Sequence, residues 1–304
     1  MHKRLALIGL PLALLLSACG GSDPYEEESG GGEGGGGSGA VVIGSADFPE
    51  SSLLAEIYGR AMEAQGVEVD YQLNIGSREV YYSQIESGNL SVFPEYNGAT
   101  LAYLDEEAPT GSSEETNALV EEALPDSLEI LDSSSAENKD SVTVTREVAE
   151  EYDLASLADL AEVADELVLG GPPEFETRHQ GVVGLEEVYG IEFQEFRSLE
   201  VALLTQALLD GDIQAANLFT TDPQIAVEDF VVLEDPENLF GAQNITPLIH
   251  SSQVDDTARE ALNSVSAALT TEALTELNRR VVVENENAAD VAQEWLEEEG
   301  LGRP

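Results

Sequence analysis

The chain has 304 residues but one cysteine, three histidines, 6% aromatic residues, and 12 basic residues against 61 acidic ones. A single cysteine excludes an internal disulfide and any cysteine-rich metal site. Of the histidines, His2 lies in the leader, and His179 and His250 stand isolated. No HExxH pair, glycine-flanked nucleophilic serine, Walker loop or GxGxxG loop is present, so hydrolytic, metal and nucleotide chemistry is poorly provided for. No metal and no cofactor are expected. The formal net charge of −49 repels phosphate backbones and anionic headgroups, which argues against nucleic-acid binding. Two readings of the acidity stay open: a salt-tolerant solvated surface, since the acids are spread along the chain, or steering of a cationic ligand.

What is there begins with a leader. Lys3 and Arg4 precede an apolar run, Leu5 to Leu16, too short for a comfortable membrane span, so residues 1–18 read as a signal peptide. The run ends in Leu16-Ser17-Ala18-Cys19, which resembles a lipoprotein cleavage box. Cys19 is therefore expected to be acylated and to anchor an exported chain to the outer face of the membrane. Residues 20–39 are half glycine, a flexible tether with a root-mean-square reach of about 25 Å. Folding is expected to begin near Ala40. A 42% hydrophobic content at this length supports two lobes.

Beyond the tether, strand and helix patterns alternate. The run AVVIGSA precedes a helix with Leu53, Leu54, Ile57, Tyr58, Ala61 and Met62 on one face and Gly66 as its stop. Strand VEVDYQL, helix SREVYYSQIESG and strand LSVF follow, the last expected to break at Pro94. A second series starts near residue 139: strand SVTVT, helix SLADLAEVADE, strand LVLGG, a helix through GLEEVYG, helix LEVALLTQALLDG and strand IQAANLF. The stretch 254–299 reads as mainly helical, with Trp295 as a packing residue. This order predicts an α/β protein with parallel sheets. The segments SQIESGNLSVFPEYN and TQALLDGDIQAANLFT also echo one another. Aligning Gly88 with Gly211 places Tyr96 opposite Phe219 and Asn97 opposite Thr220, with the glutamines Gln84 and Gln206 one place out of register. If both halves carry this unit, their strand ends face a shared cleft, where ligands of α/β proteins bind.

Four loops at strand ends collect polar and aromatic groups. IGSADFPES offers Ser45, Asp47 and Phe48; NIGSREVYY offers Ser77 as a helix cap, Arg78 and Tyr81; GGPPEFETR offers Phe175 and Arg178; LFTTDP offers Phe219, Thr220, Thr221 and Asp222. A cleft lined by Tyr96, Phe48, Phe219 and Tyr81 suits an organic cation. A quaternary ammonium has no N–H to donate, so aromatic faces must recognise it, at roughly 0.5–2 kcal/mol each. An arginine fork such as that of Arg178 suits a carboxylate at the ligand's other end.

These segments, with PEYNGATLAYL, NITPLI and VAQEWLEEEGL, together resemble the quaternary-amine substrate-binding proteins of ABC importers for glycine betaine, choline and related osmoprotectants. The resemblance runs from Ala40 to Leu301. It implies a two-lobed type II periplasmic-binding fold, an ABC permease as partner, and no catalysis. It also implies lobe one at 40–136 plus 248–304 and lobe two at 137–247; Asn97, beside Tyr96, and Asn244 are further candidate ligand contacts. Two departures stand out: Ala46 where many members carry lysine, and GAQNITP, with Gln243 and Asn244, where betaine binders often carry tyrosines. The alternatives are another amino-acid-derived zwitterion as ligand, an exported α/β enzyme, or a structural lipoprotein.

Overall fold

The computed structural model describes residues 39–106 and 108–302. The expected signal peptide, Cys19 and all but the last residue of the expected tether lie outside them.

Two five-stranded sheets organise the described residues. The first contains β1 (Val41–Gly44), β2 (Val69–Gln72), β3 (Val92–Tyr96), β4 (Leu128–Ile130) and, late in the chain, β10 (Ile245–His250), in the order β2-β1-β3-β10-β4. The second contains β5 (Asp140–Val144), β6 (Val168–Gly171), β7 (Glu195–Ser198), β8 (Ala215–Phe219) and β9 (Val231–Val232), in the order β7-β6-β8-β5-β9. The chain passes from one sheet to the other between β4 and β5, and back again before β10.

The expectation of parallel sheets is corrected. β1 pairs in parallel with β2 and β3, and β6 with β7 and β8, but β10 and β5 run antiparallel to their neighbours. Each of these two strands arrives from the other sheet instead of from a crossover helix, so the handedness constraint of the βαβ unit does not set its direction.

The expected break at Pro94 is also corrected: β3 runs through it, with Pro94 opposite Pro247 of β10. The Pro247 carbonyl accepts from Leu131 N–H on the far side, at 2.9 Å. The two prolines therefore meet at a pair of positions that exchange no hydrogen bonds between β3 and β10, so neither missing N–H is lost from that ladder. The strand is thereby free to carry Tyr96 to its end.

Helix Pro49–Ala64 starts with a proline, whose fixed φ suits the first turn. Its predicted apolar face is buried, and Gly66 at φ 84° ends it. Leu53, Leu54 and Ile57, each contributing roughly 1.5–3 kcal/mol on burial, pack in one cluster with the C-terminal helices Asp256–Ala268, Thr271–Val282 and Ala288–Glu298, and Trp295 packs there too. The expected helix over SLADLAEVADE is shorter, a single turn at Leu157–Leu160 followed by a 3-10 turn at Ala164–Glu166.

The internal echo has a geometric counterpart. Gly88 and Gly211 both take left-handed φ, 75° and 72°, and each reverses a helix into a strand. Gln84 O accepts from Asn89 N–H as Ala207 O accepts from Asp212 N–H, so the equivalent positions are Gln84 and Ala207. Each unit then ends its strand on an aromatic residue, Tyr96 in β3 and Phe219 in β8.

Candidate functional site

A cavity of about 70 Å³ lies between the carboxyl ends of β3 and β8, walled by residues from both sheets. Of the residues predicted for the site, Phe48, Arg78, Tyr81, Tyr96, Arg178 and Phe219 line it. Phe48 sits between the two strand-end rings. Its ring centroid is 5.1 Å from that of Phe219 and 6.4 Å from that of Tyr96, which gives one continuous aromatic wall.

The other predicted residues hold the frame instead of lining this cavity. Ser45 is fully buried; its hydroxyl accepts from Asn74 N–H and donates to the Ala46 carbonyl, tying two loops together. Asn97 starts the helix after β3; its amide donates to Ser113 and Asn117 and its Oδ1 accepts from the N–H groups of Gly98 and Asn244. Asn244 donates its side chain to the Ser134 carbonyl. Thr220 Oγ1 accepts from Lys139 N–H at 2.9 Å, and Asp222 accepts from Gln224 N–H as a local cap. Ser77, by contrast, does line the cavity; it takes the cap position of helix Arg78–Glu86, but its hydroxyl donates to Glu79 and caps no backbone N–H.

Both arginines in the wall have protein carboxylates as partners. Arg78 is buried and makes a bidentate pair with Glu95, Nε to Oε1 at 3.0 Å and Nη2 to Oε2 at 2.8 Å. Tyr81 donates its hydroxyl to the same Glu95 at 2.7 Å while its ring stacks on Phe93. Burial opposes the Arg78 charge, but Glu95 outweighs it and lifts the guanidinium above its usual range. Arg178, in the loop after β6, reaches Glu79 on the helix after β2 at 3.0 Å. This pair bridges the cleft mouth between elements of the two sheets. Both partners are partly exposed, so it contributes at most about 1 kcal/mol.

Sequence reasoning missed two acids. Glu50, in the first turn of helix Pro49–Ala64, is buried and receives four hydrogen bonds. Tyr96 Oη at 2.6 Å and Asn138 Nδ2 at 2.7 Å reach Oε1, and Thr221 Oγ1 and Asn278 Nδ2 reach Oε2. These donors come from β3, the crossing segment, the end of β8 and a C-terminal helix, so this carboxylate joins four parts of the fold at the base of the cleft. Burial, and then the adjacent Glu50, hold the Tyr96 hydroxyl well above its ordinary range, so it acts as a hydrogen-bond donor.

The second missed acid is Asp140, at the start of β5. It lies directly across from Phe219 in the β5–β8 ladder, so the two side chains share a face and both line the cavity. Its Oδ1 accepts from Asn217 Nδ2 at 2.9 Å. Burial raises its carboxyl above the ordinary aspartate value, while Asn217, Arg178 and Arg78 pull it back. Among 61 acids the sequence marks neither residue as special; the one signal is position, a first helical turn and a strand start.

Chemically, the lining offers aromatic faces, the carboxylates of Asp47, Asp140 and Glu174, two arginines already paired with Glu95 and Glu79, and neutral amides around a small volume. Among the described residues no group of three or more His, Cys, Asp or Glu could hold a metal.

Comparison with known proteins agrees with this picture. The chain is 27% identical over 276 residues to the glycine betaine-binding protein YehZ of Escherichia coli, covering 86% of this chain and 90% of that one. It is 23% identical over 262 residues to the carnitine transport binding protein OpuCC of Listeria monocytogenes, with 84% and 85% covered. A solved structure described as a glycine betaine/carnitine/choline ABC transporter superposes with a TM-score of 0.69 at 22% identity, over 86% of this chain and 99% of that one. The two sheets are thus the halves of a two-lobed periplasmic-binding fold. Residues 39–298 match the substrate-binding domain of the ABC-type glycine betaine transport system, and the chain belongs to that family.

Proposed function

We propose that this protein captures a small quaternary amine, such as glycine betaine, choline or carnitine, outside the cell and delivers it to an ABC permease. The observation that supports this most is the aromatic wall of Phe48, Tyr96 and Phe219, brought to one small cavity from the loop after β1 and from the ends of β3 and β8. An N-methylated cation against such faces gains roughly 0.5–2 kcal/mol per ring without needing a donor of its own. Binding and release complete the task; no bond is made or broken. Lobe one comprises 40–136 and the C-terminal segment, lobe two begins at 137, and the return crossing precedes Ile245, where β10 joins the first sheet. Ligand held between the lobes favours closure, because only the closed form makes contacts from both sides. An acylated Cys19 and the glycine tether keep the protein at the outer membrane face within reach of its permease.

Isothermal titration calorimetry of the purified chain against choline, glycine betaine and carnitine tests the reading. Saturable one-to-one binding of at least one of them is expected. Absence of binding by all three, with the fold intact, overturns it.

A further inference from the structure

The charges around the cavity do not balance once each is assigned its partner. Arg78 is taken by Glu95 and Arg178 by Glu79, both through paired hydrogen bonds. That leaves the acids Asp47, Asp140 and Glu174 in the lining, and none of them forms an ion pair with a described residue. Asp47 is exposed, whereas Asp140 is partly buried beside the aromatic wall. Its orientation is fixed by Asn217, itself buried, whose Nδ2 also leans on the Ser141 carbonyl. That bond uses Oδ1 alone, so Oδ2 keeps its lone pairs for a ligand. Register places this carboxylate at the end of the aromatic wall, next to Phe219. Gln243 adds no cation to the lining, and its amide is spent on Ala99, Gln180 and Phe240.

We infer that Asp140 is the specificity-determining residue of this site, and that it selects organic cations whose far end donates a hydrogen bond over zwitterions that end in a carboxylate. The inference rests on the organic-cation reading of the cleft. A ligand carboxylate entering here meets the Asp140 charge, and the one fork that could receive it, that of Arg178, is already filled by Glu79. A hydroxyl or N–H at the same place donates to Oδ2 and meets no opposing charge. The selection works by repulsion as much as by attraction.

Choline and glycine betaine form a matched pair, alike in the trimethylammonium head and different in hydroxyl against carboxylate. In calorimetric titrations choline is expected to bind the wild-type protein at least tenfold more tightly than glycine betaine. Asp140→Asn keeps an acceptor for Asn217 and removes the charge, so choline should weaken about tenfold or more while glycine betaine holds or improves. Asp140→Glu keeps the charge and should keep the preference for choline. Thermal melts of each variant check the fold. Glycine betaine binding the wild type as tightly as choline overturns the inference and leaves the organic-cation reading standing, as does an equal loss for both ligands in Asp140→Asn. Failure of both ligands, and of carnitine, on the wild type overturns the organic-cation reading and this inference with it.

Discussion

Replacing Glu50 with alanine removes the acceptor for four buried or partly buried donors at once: Tyr96 Oη, Asn138 Nδ2, Thr221 Oγ1 and Asn278 Nδ2. An unsatisfied buried donor costs about 1–3 kcal/mol. The four are not additive, because the space left admits water and the two hydroxyls can turn to other acceptors. A net loss of about 3–5 kcal/mol follows, in the range seen when one member of a buried polar cluster is removed. Glu50→Gln should cost less, about 1–2 kcal/mol. Its amide oxygen still accepts two of the four bonds. Its NH₂ can be met by the Thr221 hydroxyl acting as acceptor, and by the Asn278 Oδ1, which is buried without a partner in the native arrangement and would gain one if that amide turned over. Urea unfolding followed by far-UV circular dichroism gives the differences from midpoint and slope. Alanine should also weaken ligand binding, since the buried Tyr96 hydroxyl is then left without its acceptor and the ring must shift to find another, a penalty that a phenylalanine at this position does not carry. An alanine variant within about 0.5 kcal/mol of wild type, the range of an ordinary surface substitution, would refute the four-way junction. So would a glutamine variant less stable than the alanine one.

Tyr96→Phe should keep ligand affinity while losing about 1 kcal/mol of stability with the hydroxyl bond to Glu50, whereas Tyr96→Ala should weaken cation binding by about 1–3 kcal/mol; calorimetry and unfolding curves on the two variants separate the roles. Arg78→Ala strands Glu95, which is 1% exposed, and should destabilise the fold by about 3–5 kcal/mol, with partial rescue by a second change of Glu95→Gln. The raised Asp140 carboxyl makes cation affinity pH-dependent: affinity falls as the pH drops through that raised value, starting at a higher pH than an ordinary aspartate would show. The same shift means that the ionised form of Asp140 costs stability in the fold, so its protonation favours the folded state and does not itself unfold the protein. Titrations across pH with Asp140→Asn, expected to be flat, check this. Cys19→Ala should release the protein from the membrane fraction, as immunoblotting of separated fractions would show.

The alternating pattern made the α/β class legible because each helix carries its own apolar face and each strand its own β-branched run. Gly88 and Gly211 were legible as helix stops because a left-handed φ calls for glycine. The antiparallel members β5 and β10 were not, since strand direction depends on where the chain re-enters a sheet, and no local residue encodes that. Pro94 misled for the same reason: its place in a strand depends on Pro247, more than 150 residues away in the chain. In the site, the aromatic residues and arginines stand out because they are scarce, and Phe48, Tyr96, Phe219, Arg78 and Arg178 all line the cavity. Glu79 and Glu95, which occupy the arginine forks, and Glu50 and Asp140 are hidden among the many acids. Only three-dimensional pairing distinguishes them from solvated surface charge.

The central claim is that the organic cation sits against the wall of Phe48, Tyr96 and Phe219, and a crystal structure of the protein with bound choline tests it directly. The claim predicts the ammonium nitrogen within about 6 Å of at least two of these ring centroids, with the hydroxyl directed to Asp140. Choline seated outside this cavity, or a cavity left empty under saturating choline, would contradict it.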